Sequence, residues 1–130
     1  MPQRYPHGEL VVVIDCADLD QSERFWAAAL GYAAANPGSR HYRSLVPARG
    51  AGLEILLQQV GEAKRAKNRL HLDLRTGDLD AEVTRILGLG ASLLTGQPLT
   101  EDGWRWHVLA DPDGNEFCVL EPPRSRSAPS

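Results

Sequence analysis

Residues 69–75, RLHLDLR, place an imidazole and a carboxylate two positions apart, at His71 and Asp73. Alternate side chains of a strand share a face, so Arg69, His71, Asp73 and Arg75 fall on one side and Leu70, Leu72 and Leu74 on the other. The leucines are expected to pack beneath a helix, which leaves His71 and Asp73 on an open, polar face. An imidazole beside a carboxylate is an acid–base pair, because the ring changes charge near neutral pH and the carboxylate orients it. His71 and Asp73 are therefore the first catalytic candidates of the chain.

Other polar side chains are expected on the same kind of face. Glu54 stands between Leu53 and Ile55, and Cys118 between Phe117 and Val119, so each points away from the apolar side of its strand. The turn sequence Asp111-Pro112-Asp113-Gly114 joins the strand of Cys118 to the one before it. With a loop of residues 111–114, Ala110 pairs with Asn115 and His107 lies across from Cys118. Cross-strand partners share a face, so Trp106, Val108, Phe117 and Val119 are then assigned to the helix-packed side. The ligand-binding candidates are His71, Asp73, Glu54, His107 and Cys118. The carboxylates of the turn are read as turn formers, and Trp104 and Trp106 as core.

The elements that hold these residues come from a repeat. Shifted by sixty positions, residues 10–20 (LVVVIDCADLD) fall on residues 70–80 (LHLDLRTGDLD). Each copy is an apolar run, an Asp-Leu-Asp that can cap a helix, a helical stretch and a closing Leu-Gly. The first helix carries Phe25, Trp26, Ala29 and Leu30 on its apolar side. Strands are expected at 10–16, about 32–35, 41–46 and 53–60, then at 70–75, 91–95, 104–110 and 116–120. The second helix runs from Asp78 or Asp80 to about Leu87. One helix and several strands per copy, with hairpin chemistry joining the last two, indicate an α+β protein with an antiparallel or mixed sheet. The expected organisation is a lead at 1–9 and a single domain at 10–121, followed by a disordered tail at 122–130. The domain comprises module one (10–60), a polar linker (61–68) and module two (69–121). The repeat sets His71 against Val11 and Asp73 against Val13, and a shift of sixty-four sets Cys118 against Glu54.

Three segments in order, CADLDQSERFWAAALGY, KNRLHLDL and WHVLADPDGNEFCVLE, resemble the vicinal-oxygen-chelate superfamily, the glyoxalase, bleomycin-resistance and dioxygenase group. The likeness is greatest to its glyoxalase-like domain branch. The resemblance implies two βαβββ modules in tandem, with helices on the convex face and the sheets cupped around a ligand. It also implies a homodimer. Metal-using members hold a divalent ion at four cup positions, which here are Val11, Glu54, His71 and Cys118. Val11 offers no donor, so no cofactor is expected. If a divalent metal binds, Glu54, His71 and Cys118 are its ligands, a set that zinc accepts.

Among 130 residues, 42% are hydrophobic and 24% charged, with a formal net charge of −3. This composition fits a soluble globular domain and lacks the basic excess of a nucleic-acid binder. The apolar run at 10–14 is too short for a membrane span or the core of a signal peptide. Cys16 and Cys118 have no paired spacing, as expected of reduced thiols in the cytoplasm. No nucleic-acid or membrane partner is expected. The expected function is binding of a small organic molecule in the cup without a catalytic metal, including sequestration of an antibiotic or toxin. The alternative is a lyase or isomerase of glyoxalase type, using either a Glu/His/Cys metal site or a metal-free His–Asp pair. A dioxygenase is less favoured.

Overall fold

The computed structural model describes residues 3–61, 66, 68 and 70–124. Most of the expected linker, Arg69 and the tail from residue 125 lie outside the described residues. The fold is α+β, and the chain divides into two compact units, Met1–Arg65 and Ala66–Ser130.

The first unit contains β1 (Gln3–Tyr5), β2 (Gly8–Cys16), α1 (Leu19–Leu30), β3 (Tyr32–Ala34), β4 (Tyr42–Pro47) and β5 (Glu54–Gln59). Its five-stranded sheet has the order β1-β2-β5-β4-β3. Strands β2 and β5 are parallel and every other pair is antiparallel. The expected lead contains β1, which pairs back onto β2 through Tyr5 and Gly8. Helix α1 starts where the Asp18 carboxylate accepts the Gln21 N–H at 3.1 Å. It ends at Gly31, whose φ of 74° is a left-handed conformation that costs glycine little. The helix buries Leu19, Ser22, Phe25, Trp26 and Ala29, and the Phe25 and Trp26 rings meet edge to face. Beneath them lie Ile14, Cys16, Leu45, Ile55 and Leu57.

Arg43 also points to this buried side, at 6% exposure, while its neighbour Tyr42 faces out. Its guanidinium donates to Asp20 at 3.2 Å, to the Glu23 carboxylate and to the Ser39 carbonyl at 2.9 Å. A buried cation is tolerable only when paired and hydrogen-bonded. The bond to Glu23 is the main cause of the upward shift in the Arg43 pKa. Arg43 thus ties strand β4 to the first turns of α1.

The second unit repeats the plan with β6 (Leu72–Arg75), α2 (Leu79–Leu87), β7 (Ser92–Leu93), β8 (Leu99–Glu101), β9 (Trp104–Ala110) and β10 (Glu116–Glu121). The strand order is β6-β10-β9-β7, with β8 also paired to β9. In each unit the strand that leads into the helix is the parallel neighbour of the last strand, β2 with β5 in the first and β6 with β10 here. Asp78 caps α2 as Asp18 caps α1, accepting the Ala81 N–H at 3.1 Å. The helix buries Leu79, Val83 and Ile86 over Leu109, Phe117 and Val119.

Two expectations about this unit are corrected. Strand β6 begins at Leu72, so Leu70 does not join Leu72 and Leu74 under the helix and is 88% exposed. The short hairpin β8–β9 was not expected, although Asp102-Gly103 between Glu101 and Trp104 is a strong two-residue turn signal. Both turn residues have positive φ, 53° and 86°, as a turn matched to the twist of its strands requires.

Candidate functional site

Strand β6, the residue before it and strand β10 bring three chemically competent side chains together within the second unit. His71 Nε2 lies 3.1 Å from Asp73 Oδ1, and the two side chains are 47% and 43% exposed. Asp73 pairs in register with Cys118 on β10. One donor atom from each of His71, Asp73 and Cys118 falls within 4.8 Å of the others. The thiol is nearly buried, at 8% exposure, so the cluster has a sheltered floor and an open, polar rim.

The neighbours on this face follow from the register. Cys118 pairs with Val108, and Leu120 with both Arg75 and Trp106. Trp104, Trp106 and Val108 alternate along β9 and therefore lie on the face of Arg75, Asp73 and Cys118. The Arg75 guanidinium sits over the Trp104 ring, 5.0 Å from its centroid, an arrangement favoured by the ring quadrupole. Both tryptophans were expected in the core beneath the helix. They are half-buried on the opposite side of the sheet.

That reversal has a local cause, and it moves His107 as well. The strands resume pairing at Ala110 and Glu116, so the loop is five residues, 111–115, instead of four. The Asp111 carboxylate holds it, accepting the N–H groups of Asp113 and Asn115 at 2.9 and 2.8 Å and the Asn115 side-chain amide at 3.1 Å. One extra residue shifts the register by one and flips every side chain of β9 to the other face. His107 consequently pairs with Val119, not Cys118, and is buried at 7% exposure with Nδ1 2.6 Å from the Thr95 hydroxyl. It stands on the helix-packed side, away from the His71 cluster.

In the first unit the positions equivalent to His71 and Asp73 are aliphatic. Asp18 and Asp78 are equivalent caps sixty positions apart, so Val13 is the counterpart of Asp73 and Val11 that of His71. Val13 pairs with Leu56, whereas Asp73 pairs with Cys118. The counterpart of Cys118 is therefore Leu56, not Glu54, and the last strands correspond at a shift of sixty-two. Glu54 is still on the outward face of its own sheet, where its carboxylate accepts a hydrogen bond from Ser44 Oγ at 2.6 Å. The alternation around Glu54 indicated the face, but the loop before β5 hid the two-residue offset.

A recess of about 450 Å³ opens in the first unit, lined by Asp18, Asp20, Ser39, Arg40, Arg43 and Gln59 among others. None of the expected site residues lines it. Its Arg43 is already engaged by Asp20, Glu23 and Ser39, so the recess adds structure rather than chemistry to the unit.

The family comparison covers nearly the whole chain, with residues 11–120 matching the glyoxalase-like domain. No curated protein is similar to the chain in sequence. Among solved structures, the fosfomycin resistance protein FosX from Mesorhizobium loti superposes with a TM-score of 0.69 at 14% identity, covering 95% of this chain and 97% of that one. A glyoxalase/bleomycin resistance protein/dioxygenase from Nocardioides gives a TM-score of 0.70 at 12% identity, over 98% of this chain and 92% of that one. FosX from Listeria monocytogenes, a mutant complexed with Mn(II) and dihydroxypropylphosphonic acid, gives 0.69 at 19% identity over 88% of this chain and 90% of that one. These low identities establish a shared fold. By the domain match, the chain belongs to the glyoxalase-like domain family, and it shares its fold with the glyoxalase/bleomycin resistance protein/dioxygenase structures.

Proposed function

We propose that this protein binds a small organic molecule on the outward face of its second sheet. The observation that carries the reading is the half-exposed His71–Asp73 pair at 3.1 Å, set beside Cys118 on the face that also presents Trp104 under Arg75. A few convergent polar groups beside aromatic surface are the usual make-up of a small-molecule site. His71 would donate or accept one hydrogen bond, Asp73 would orient the ring and accept from a cationic or hydroxyl group, and the indole would supply apolar contact. Sequestration of an antibiotic or toxin is the favoured form of this binding, with a homodimer as its assembly.

The metal that the superfamily implies at four positions does not fit them in this chain. Val11 has no donor, and the register sets Leu56 where a second-strand ligand would be needed. No step of this reading passes through such an ion.

The test is binding without turnover. Purified protein is titrated, by calorimetry and tryptophan fluorescence, with a cationic bleomycin-type antibiotic, fosfomycin and a glutathione hemithioacetal. Saturable 1:1 binding of one of them, at least tenfold weaker in H71A and D73N, supports the reading. Binding unaffected by both substitutions refutes the site. Conversion of the bound compound over hours refutes sequestration and favours the second reading, a metal-free lyase or isomerase. In that reading His71 moves the proton and Asp73 steadies the charged ring.

A further inference from the structure

Arg75 stands two residues beyond Asp73 on the same face of β6, yet the two opposite charges do not pair. Asp73 is engaged by His71 at 3.1 Å, and the Arg75 guanidinium lies over the Trp104 ring. No carboxylate among the described residues forms an ion pair with Arg75. Glu101, the register partner of Trp104, lies across β9 from it. We infer that this face selects an apolar carboxylic acid, with the carboxylate held by Arg75 and the apolar body laid on Trp106 and Leu120. That ligand class rests on the small-molecule reading of the face and narrows it.

The contact with Trp104 uses the charge of the guanidinium and leaves its N–H donors for a ligand. Those donors form a planar fork that matches the two oxygens of a carboxylate, and a charge-assisted pair of this kind is strong and directional. Contact with the indole also restrains a long side chain before any ligand arrives, so less rotamer freedom is lost on binding. Asp73 lies about 6.6 Å away along the strand. It is within reach of a hydroxyl or amine elsewhere on the same acid.

Register supplies the apolar surface beside this cation. Leu120 pairs with both Arg75 and Trp106, and Leu99 pairs with Trp106 from β8, so these side chains share one face. Trp106 and Leu120 are only half-buried, and Leu99 is 44% exposed. A small inorganic anion would leave that surface wet, whereas an apolar acid removes it from water and gains in proportion to the area covered. The first unit lacks the combination. Sixty positions before Arg75 stands Asp15, paired with Gln58, so the equivalent point of the first sheet repels an anion.

The test is calorimetric titration of the full-length protein with three probes of one shape and different charge: naphthylacetate, naphthylacetamide and naphthylethylamine. The acid should bind at least tenfold more tightly than the amide, and the amine more weakly than either. R75Q, a change at an exposed side chain, should bring acid and amide within twofold of each other while leaving the amide's affinity unchanged. R75K should keep only part of the preference, because an ammonium lacks the planar fork, and D15N should keep all of it. Added salt should erode the preference for the acid and spare binding of the amide. Equal binding of acid and amide, both weakened by H71A, would overturn the anion assignment and leave the small-molecule reading standing. Binding indifferent to H71A, with a preference for the acid that disappears in R75Q, would support the assignment and count against the His71–Asp73 site. A preference that survives R75Q, or no saturable binding of the acid, would overturn the assignment outright.

Discussion

Asp73 and Cys118 are register partners across the parallel strands β6 and β10, while the equivalent partners in the first unit are Val13 and Leu56. One βαβββ plan thus appears twice, with donor side chains at this pair in one copy and aliphatic ones in the other. The fold tolerates either, because this face of the sheet is not the one that packs beneath the helix. What differs between the copies is chemistry, and the predictions separate it from structure.

The His71–Asp73 pair should be dispensable for stability. Exposed ion pairs contribute at most about 1 kcal/mol, and both side chains are nearly half exposed. H71A and D73N should therefore unfold in denaturant within about 1 kcal/mol of the parent. A larger loss in both would mark the pair as structural and remove the argument for a ligand site.

Asp111 should behave in the opposite way. Its buried carboxylate accepts three hydrogen bonds inside the loop 111–115. Bonds to a charged acceptor are worth about 1.5–3 kcal/mol, and D111A should cost about 2–3 kcal/mol by chemical denaturation. Unchanged stability would mean that the five-residue loop is held by something other than this side chain.

Arg43 is the buried cation that fastens β4 to α1. R43M should destabilise by about 1–3 kcal/mol, below the range for a fully buried pair, because Asp20 can rehydrate when released. R43K should restore little, since an ammonium cannot reach Asp20, Glu23 and the Ser39 carbonyl in the geometry of the planar fork. Full rescue by lysine would show that charge alone matters there.

Gly103 combines a φ of +86° with a tight approach, as a Cβ there would sit 2.7 Å from Pro123 Cβ. G103A should cost about 1–3 kcal/mol. D102N at the preceding position should be within about 0.5 kcal/mol, because asparagine adopts left-handed backbone readily. Equal tolerance of both would contradict the two-residue turn.

Glu82 sits one helical turn from Arg85 and forms two hydrogen bonds with it, at 2.9 and 2.8 Å. Hydrogen bonding to Arg85 holds the Glu82 carboxyl below its ordinary pKa. A carboxyl with a depressed folded-state pKa contributes stability that is complete above its unfolded value of about 4.3 and is lost as pH falls through the folded value. The stability difference between the parent and E82Q should be about 0.3–0.5 kcal/mol at pH 7 and vanish in strong acid. A gap that widened on acidification would have the wrong sign.

Much of the fold was legible because it is local. Asp18 and Asp78 announce helix starts within a few residues, and Gly31 ends its helix in a conformation few other residues adopt. The sixty-residue repeat set the module count and singled out His71. Asp102-Gly103 carries an equally local signal for the β8–β9 hairpin. The cluster was legible in part. Alternation puts His71 and Asp73 on one face and Cys118 on an outward face, but the pairing that sets Asp73 beside Cys118 depends on the register of β6 with β10.

By itself the sequence determined both helices with their caps, the main strands and the alternation along each strand, since these depend on neighbours within a helical turn or a strand step. Only the tertiary structure decided register. The loop 111–115 is one residue longer than its turn motif implied, which sent His107 under the helix and brought Trp104 and Trp106 to the face of Cys118. The segment before β5 displaced Glu54 by two positions from the counterpart of Cys118. Strand faces alternate with period two, so a one-residue change in a distant pairing reverses a face without altering any local signal.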